Sequence, residues 1–167
     1  PDVKIEPEML STITAHLYAQ NMIFKYANKF YREHKTIAPP EEFEITDEIY
    51  NDFVNFVEEQ DFSYTSESEK DFEELIKTAK LEGYYDNIKE QLDVLEKELR
   101  SHKDNDLINN KEEISEILKM EIVGRYYFQK GKIISSLKDD PELNRAVEIL
   151  LDSNGENEYE NILKGVN

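Results

Sequence analysis

The side chains able to do chemistry in this 167-residue chain are scattered along it. A nucleophilic serine needs a base within hydrogen-bond reach and donors for an oxyanion. The serines are Ser11, Ser63, Ser66, Ser68, Ser101, Ser115, Ser135, Ser136 and Ser153, and none lies in a Gly-x-Ser-x-Gly turn. Most sit where a helix cap or a turn is expected. The histidines, His16, His34 and His102, are far apart and lack the His-Glu-x-x-His spacing of a zinc helix. With no cysteine, thiol nucleophiles, disulfides and thiolate metal sites are excluded. Asp104 and Asp106 imitate the first two ligands of a calcium loop, but Ile108 stands at the third and the required glycine is missing. The 152–156 stretch misplaces its glycine too. Adjacent carboxylates such as Glu73-Glu74 or Asp139-Asp140 point to different sides of a helix and read as solvated faces. The sequence thus assigns no catalytic, cofactor-binding or metal-binding residue.

The composition bounds what can surround those residues. Hydrophobic residues make up 38% of the chain, enough for one modest core, and the net charge is −18. Such a charge repels phosphates and excludes nucleic acid as the natural partner, even though the Arg125–Gly131 stretch mixes bases with aromatic rings. No run approaches the ~18–20 apolar residues of a membrane-spanning helix.

The elements are read from periodicity. Residues 1–7 alternate apolar and charged residues as an extended strand does, and no local segment can pair with them. The expected organisation is an extended segment over 1–10, whose partner lies outside the sequence, followed by a single helical domain over 11–167. A first helix is predicted from Thr12 to about Glu33, capped at Ser11 or Thr12. Pro39-Pro40 breaks the chain, and Thr46-Asp47-Glu48 opens a helix burying Ile49, Tyr50, Phe53, Phe56 and Val57. Ser66 and Glu69 form a capping box for a third helix, which ends at Gly83. A fourth follows with Tyr85, Ile88, Leu92, Leu95 and Leu99 on one face. After a polar turn at 101–106 a fifth runs from Leu107 to about Ser135, and the short connection favours an antiparallel hairpin. Gly124 and Gly131 lie seven apart in it, as close helix packing requires. Asp140-Pro141 starts a sixth helix carrying Ala146, Val147, Leu150 and Leu151, and Tyr159, Ile162 and Leu163 suggest a short seventh. The expected class is all-α, an irregular bundle of about six or seven helices including an antiparallel helical hairpin.

Two surface features invite function. The first helix is apolar on two sides: Ile13, Leu17, Phe24, Ala27 and Tyr31 form one stripe. Tyr18, Met22, Ile23, Tyr26 and Phe30 form a second, read either as core or as a face that docks another domain. Residues 41–74 hold fourteen acids and one base, a net of −13. That face supports an alternative reading, a free-standing acidic interaction module that recruits a basic partner.

Several phrases resemble a known family. The opening Pro1-Asp2-Val3-Lys4-Ile5-Glu6-Pro7 is similar to the stretch that closes the catalytic core of bacterial carboxy-terminal processing (tail-specific) serine proteases. The helical extension of some envelope members resembles Ile23–Ala27, Thr36–Pro39, Phe62–Glu69 and Glu121–Tyr127. The resemblance implies a parent enzyme with a serine–lysine dyad that cleaves near the C-termini of protein substrates, often with a PDZ domain, in the cell envelope or periplasm. It implies that the dyad lies upstream of Pro1, so no residue here inherits a catalytic role. The partners it implies are that upstream core and the parent's protein substrates.

Overall fold

The structure is a computed structural model describing residues 3–6, 9–138, 140–151 and 157–165. Residues 3–6 take no regular secondary structure, and the described residues hold helices and no strand. The helices are α1 (Thr12–Ala19), α2 (Met22–Glu33), α3 (Asp47–Glu59), α4 (Glu67–Glu82), α5 (Tyr85–Asp104), α6 (Asp106–Asn109), α7 (Lys111–Ser136), α8 (Pro141–Leu150) and α9 (Glu158–Lys164). The expected all-α class holds. The count exceeds seven because two of the predicted helices are each divided. The chain forms two units, one of Pro1–Met9, Ala27–Glu44 and Leu118–Asn167, the other of Leu10–Tyr26 and Ile45–Ile117.

Local chemistry sets the starts of four of the described helices. The Ser11 side chain accepts from the Thr14 backbone N–H, so the cap is Ser11 rather than Thr12. Thr46 caps α3 through the Ile49 N–H. Ser66 and Glu69 satisfy each other's backbone donors at the head of α4 in the predicted capping box. Asp140 caps α8, with Pro141 in its first turn. Each such contact satisfies an N–H that the helix itself leaves unpaired.

The first predicted helix breaks at Gln20–Asn21, where Asn21 takes φ 60°. Asparagine tolerates this left-handed conformation better than most residues. The break shifts the phase of the apolar stripe. Met22, Ile23, Tyr26, Ala27 and Phe30 fall inside, while Phe24 and Tyr31, expected on the same stripe as Ile13 and Leu17, turn out to solvent.

In the unit built on Leu10–Tyr26 and Ile45–Ile117, the core gathers Ile13, Leu17, Tyr26, Phe53 and Val57. The Tyr26 and Phe53 rings meet edge to face at 5.2 Å, and the Tyr26 hydroxyl donates to the Ile49 carbonyl at 3.0 Å. Tyr50 donates to the Leu107 carbonyl at 2.5 Å, which ties α3 to α6. The antiparallel hairpin consists of α4 and α5, joined through Gly83 at φ 80°. Its two ends are pinned: Lys80 lies over the Tyr85 ring at the turn, and Lys103 at the far end of α5 reaches Glu69 at the start of α4 at 2.9 Å. The hairpin therefore falls one helix earlier than the connection at 101–106 suggested. At that connection the chain adds the one-turn helix α6 instead of a plain turn.

In the other unit, Val123 and Ile122 are fully buried, and Lys119, 5% exposed, reaches Glu44 at 3.1 Å. The predicted inner face of α8 is a correction. Ala146, Val147, Leu150 and Leu151 are exposed and Ile149 is the buried residue, so the helix is rotated relative to the sequence pattern. Its apolar residues spread round the helix, and periodicity alone could not choose among them.

Candidate functional site

Four of the nine serines have structural occupations. Ser11 and Ser66 are caps, and the Ser135 and Ser136 hydroxyls donate to the Lys132 and Ile133 carbonyls of their own helix. Ser153 and the 152–156 calcium-like stretch lie outside the described residues. His34 stacks on Phe30 at 4.0 Å beside the Phe30 carbonyl, at the helix end where a cation suits the dipole. His16 stacks on Tyr64 at 5.0 Å. Among the described residues no group of three or more His, Asp or Glu side chains is placed to hold a metal ion.

Two clusters of polar and aromatic side chains stand out. The first is built on Tyr64, in the loop before α4. Its hydroxyl donates to Asp106 and its carbonyl accepts from Lys103, which also donates to both oxygens of Glu69 at 2.9 Å. Burial pushes the Tyr64 phenol up, and the Asp106 carboxylate adds to the shift. Burial also raises Glu69, but contacts with Lys103 and the Ser66 cap outweigh it and hold the carboxyl below its ordinary value. The result is a clamp on the 62–69 loop. Within it Lys103 and Glu69 neutralise each other, while Asp106 is held by the Tyr64 hydroxyl. Beside it, between α4 and α5, a groove of about 120 Å³ is lined by Phe72, Ile76, Leu99 and four charged residues. Small-molecule sites run to roughly 300–1,000 Å³, so this groove is too small for one.

The second cluster surrounds a sharp bend in α7. Phe128 leaves helical geometry at φ 57°, ψ −155°. Lys132 reaches Glu121 at 2.7 Å, although a continuous helix would set these residues about 16 Å apart along its axis. The missing side chains of the two glycines make room for the bend. A Cβ on Gly131 would stand 2.3 Å from the Tyr127 Cβ, and one on Gly124 would meet the Lys132 Cε at 2.1 Å. Close packing at Gly124 and Gly131 was expected from their spacing, but it occurs across a bend in their own helix. Arg125 joins Glu121 at 2.7 Å and the Asn28 side chain at 2.9 Å. Burial pushes Glu121 up, yet Lys132 and Arg125 together hold it below its ordinary value. Before the bend, Tyr126 donates to the His34 carbonyl and Tyr127 to the Ile37 carbonyl, while Tyr31 packs on Tyr126. Arg125, Tyr126 and Tyr127 of the mixed basic and aromatic stretch are thus engaged in the domain, whereas Phe128 and Lys130 are exposed.

Of the proposed docking face, Tyr18 is 45% exposed, whereas Met22, Ile23, Tyr26 and Phe30 are all buried at 5% or less. The exposed ring that follows Tyr18 in the sequence is Phe24.

The comparison with protein families decides what these clusters belong to. A family model described as the probable PDZ-protease, C-terminal helical domain, matches residues 13–150. The chain belongs to this family. No curated protein and no solved structure matches it. The match covers the phrases over 23–27, 36–39, 62–69 and 121–127, and the structure shows what those phrases do in the helical domain. The 62–69 phrase forms the loop clamp and cap of α4. The 121–127 phrase forms the near side of the α7 bend, and its Tyr127 holds the carbonyl of Ile37 in the 36–39 phrase. Lys103 and Lys132, which complete the clusters, leave no signal in the sequence, and Asp106, which there imitates a calcium ligand, instead accepts from Tyr64. Lys103 is 34 residues from Glu69 and no local spacing pairs them. No described helix of the domain is long and apolar enough to cross a membrane.

Proposed function

We propose that this helical domain is the non-catalytic accessory part of a serine-type, tail-specific peptidase of the cell envelope or periplasm. In this reading it is a platform that docks on the upstream catalytic core of the same polypeptide and positions protein substrates for it. The observation that carries the reading is the family match over 13–150, taken with the resemblance of the opening residues to the segment that closes such a core. The non-catalytic part of the reading is supported by the structural use of Ser11, Ser66, Ser135 and Ser136 and by the stacking of His16 and His34. Docking would use exposed rings, Tyr18 and Phe24 in the Leu10–Tyr26 segment, because the remaining residues of the expected face are internal.

The test compares the parent polypeptide with the isolated chain on two substrates, a short chromogenic peptide and a protein with an unstructured C-terminal tail. The isolated chain should cleave neither. In the parent, Tyr18→Asp combined with Phe24→Asp should lower kcat/KM for the protein by about tenfold, while peptide cleavage changes less than about twofold. Turnover by the isolated chain, or an upstream sequence without a serine–lysine pair, would refute the assignment. An equal loss on both substrates would refute the positioning role.

A further inference from the structure

We infer that Phe128 is a hinge, and that residues 118–138 exchange between the bent form of α7 and a continuous helix. Among the described non-glycine residues with positive φ, Asn21, Asp61 and Asn157 are of types that tolerate it. Phe128 is not. Its φ and ψ lie in a region that glycine alone occupies without strain. Packing of its ring does not offset that strain, because Phe128 is 77% exposed. A permanent bend would be served better by glycine at 128, yet the glycines stand at 124 and 131, where they admit the close contact across the bend. The sequence on either side of Phe128 carries no proline and reads as one helix. Local preference and the observed backbone therefore disagree at a single residue, and polar ties decide between them. Across the bend the tie is the Lys132–Glu121 pair at 2.7 Å, with Arg125 sharing the same carboxylate. On the near side Tyr126 and Tyr127 hold the helix to the 34–37 segment. Loosening the Glu121 tie releases the strain at Phe128 by straightening the helix. A hinge of this kind moves residues 129–138 by rotation at one backbone position, without unfolding either arm.

The chain has no cysteine, so Met120→Cys and Leu137→Cys give a clean pair of spin-label sites in the full chain. A continuous helix separates these positions by about 26 Å along its axis, and the bend holds them well below that. The unmodified background should show a dominant short distance. Glu121→Gln should raise the population near 26 Å about threefold with helicity by circular dichroism retained. Phe128→Gly, which removes the left-handed penalty, should favour the bend by about tenfold and reverse the effect when combined with Glu121→Gln. A single short distance unchanged in Glu121→Gln would overturn the hinge, as would a long component that Phe128→Gly fails to suppress. Loss of helicity in Glu121→Gln would also overturn it, since both arms are held to survive the release.

Discussion

Alanine at the two glycines of α7 separates a bent helix from a straight one. In an ordinary exposed helix interior, glycine to alanine gains about 1 kcal/mol, so a straight α7 predicts stabilisation at both positions. The bent geometry predicts different outcomes. At Gly131 the new Cβ would fall 2.3 Å from the Tyr127 Cβ and 3.0 Å from a Val123 methyl. The Tyr127 Cβ is fixed to the backbone, so relief requires the helix arms to part. Overpacking of this kind costs typically about 1–3 kcal/mol, and an overlap with an atom that cannot rotate away belongs at the upper end. Subtracting the propensity gain leaves a net loss of about 2 kcal/mol for Gly131→Ala. At Gly124 the obstruction is the Cε of Lys132, the far end of a flexible chain, which can swing aside. That movement gives up the partly exposed Lys132–Glu121 pair, worth about 0–1 kcal/mol, against the same propensity gain. Gly124→Ala should therefore stay within about 0.5 kcal/mol of the parent. The chain has no tryptophan, so urea denaturation followed by far-UV circular dichroism is the suitable assay. Stabilisation of both variants by equal amounts would refute the bend and the packing argument with it.

Further outcomes follow from the caps, the core and the clamp. Ser66→Ala removes one half of the capping box of α4 and should cost about 1 kcal/mol in the same denaturation assay. Ile23→Asp places a charge at a site 1% exposed and should abolish cooperative unfolding, whereas Tyr18→Asp on the exposed surface should shift the urea midpoint little. Glu69 has its folded carboxyl held below the ordinary value, so its contribution to stability is present above the ordinary glutamate range and fades as pH falls through the folded value. Glu69→Gln should accordingly be destabilised near neutral pH, and the difference from the parent should close under acid; a gap independent of pH contradicts the clamp. At the alkaline end, burial pushes Tyr50 up to about 12. The stability this gives is complete below the unfolded phenol's value and is lost as pH rises through the folded one. Ultraviolet titration should then find the Tyr50 phenol intact until the chain unfolds, and Tyr50→Phe should remove that late component.

What the sequence discloses about this fold depends on how far apart the deciding atoms are. The caps at Thr46, Ser66 and Asp140 were legible because each is a contact between residues three apart, and side-chain chemistry is enough to fix it. The inner face of α3 was legible for the same reason, with Tyr50, Phe53 and Val57 recurring at helical spacing and all buried. The break at Asn21 left a weaker trace, a Gln-Asn pair inside an apolar run, and periodicity bridged it by joining two stripes that the structure rotates apart. The bend at Phe128 left none. Neither glycine nor proline marks the position, and what enforces it is a lysine eleven residues from its carboxylate partner, a pairing invisible to local spacing.

The same distance argument explains why family resemblance reached further than chemistry did. A catalytic motif is recognisable when its residues must converge on one reacting atom, and the described residues offer no such convergence to read. Its recognisable phrases are the places where one segment fixes another: Tyr64 with Lys103 and Asp106, Tyr127 with Ile37, Glu121 with Lys132. Each of these contacts carries a steric or electrostatic requirement that few residue types can meet. A phenol must donate to a named carbonyl, a carboxylate must face two cations, and a helix must come near enough to its own bend to forbid a Cβ. These constraints preserve a shape and impose no reaction. In the reading proposed above, such a domain acts through the surface those segments present, and that proposal is tested on protein substrates and on the intact polypeptide.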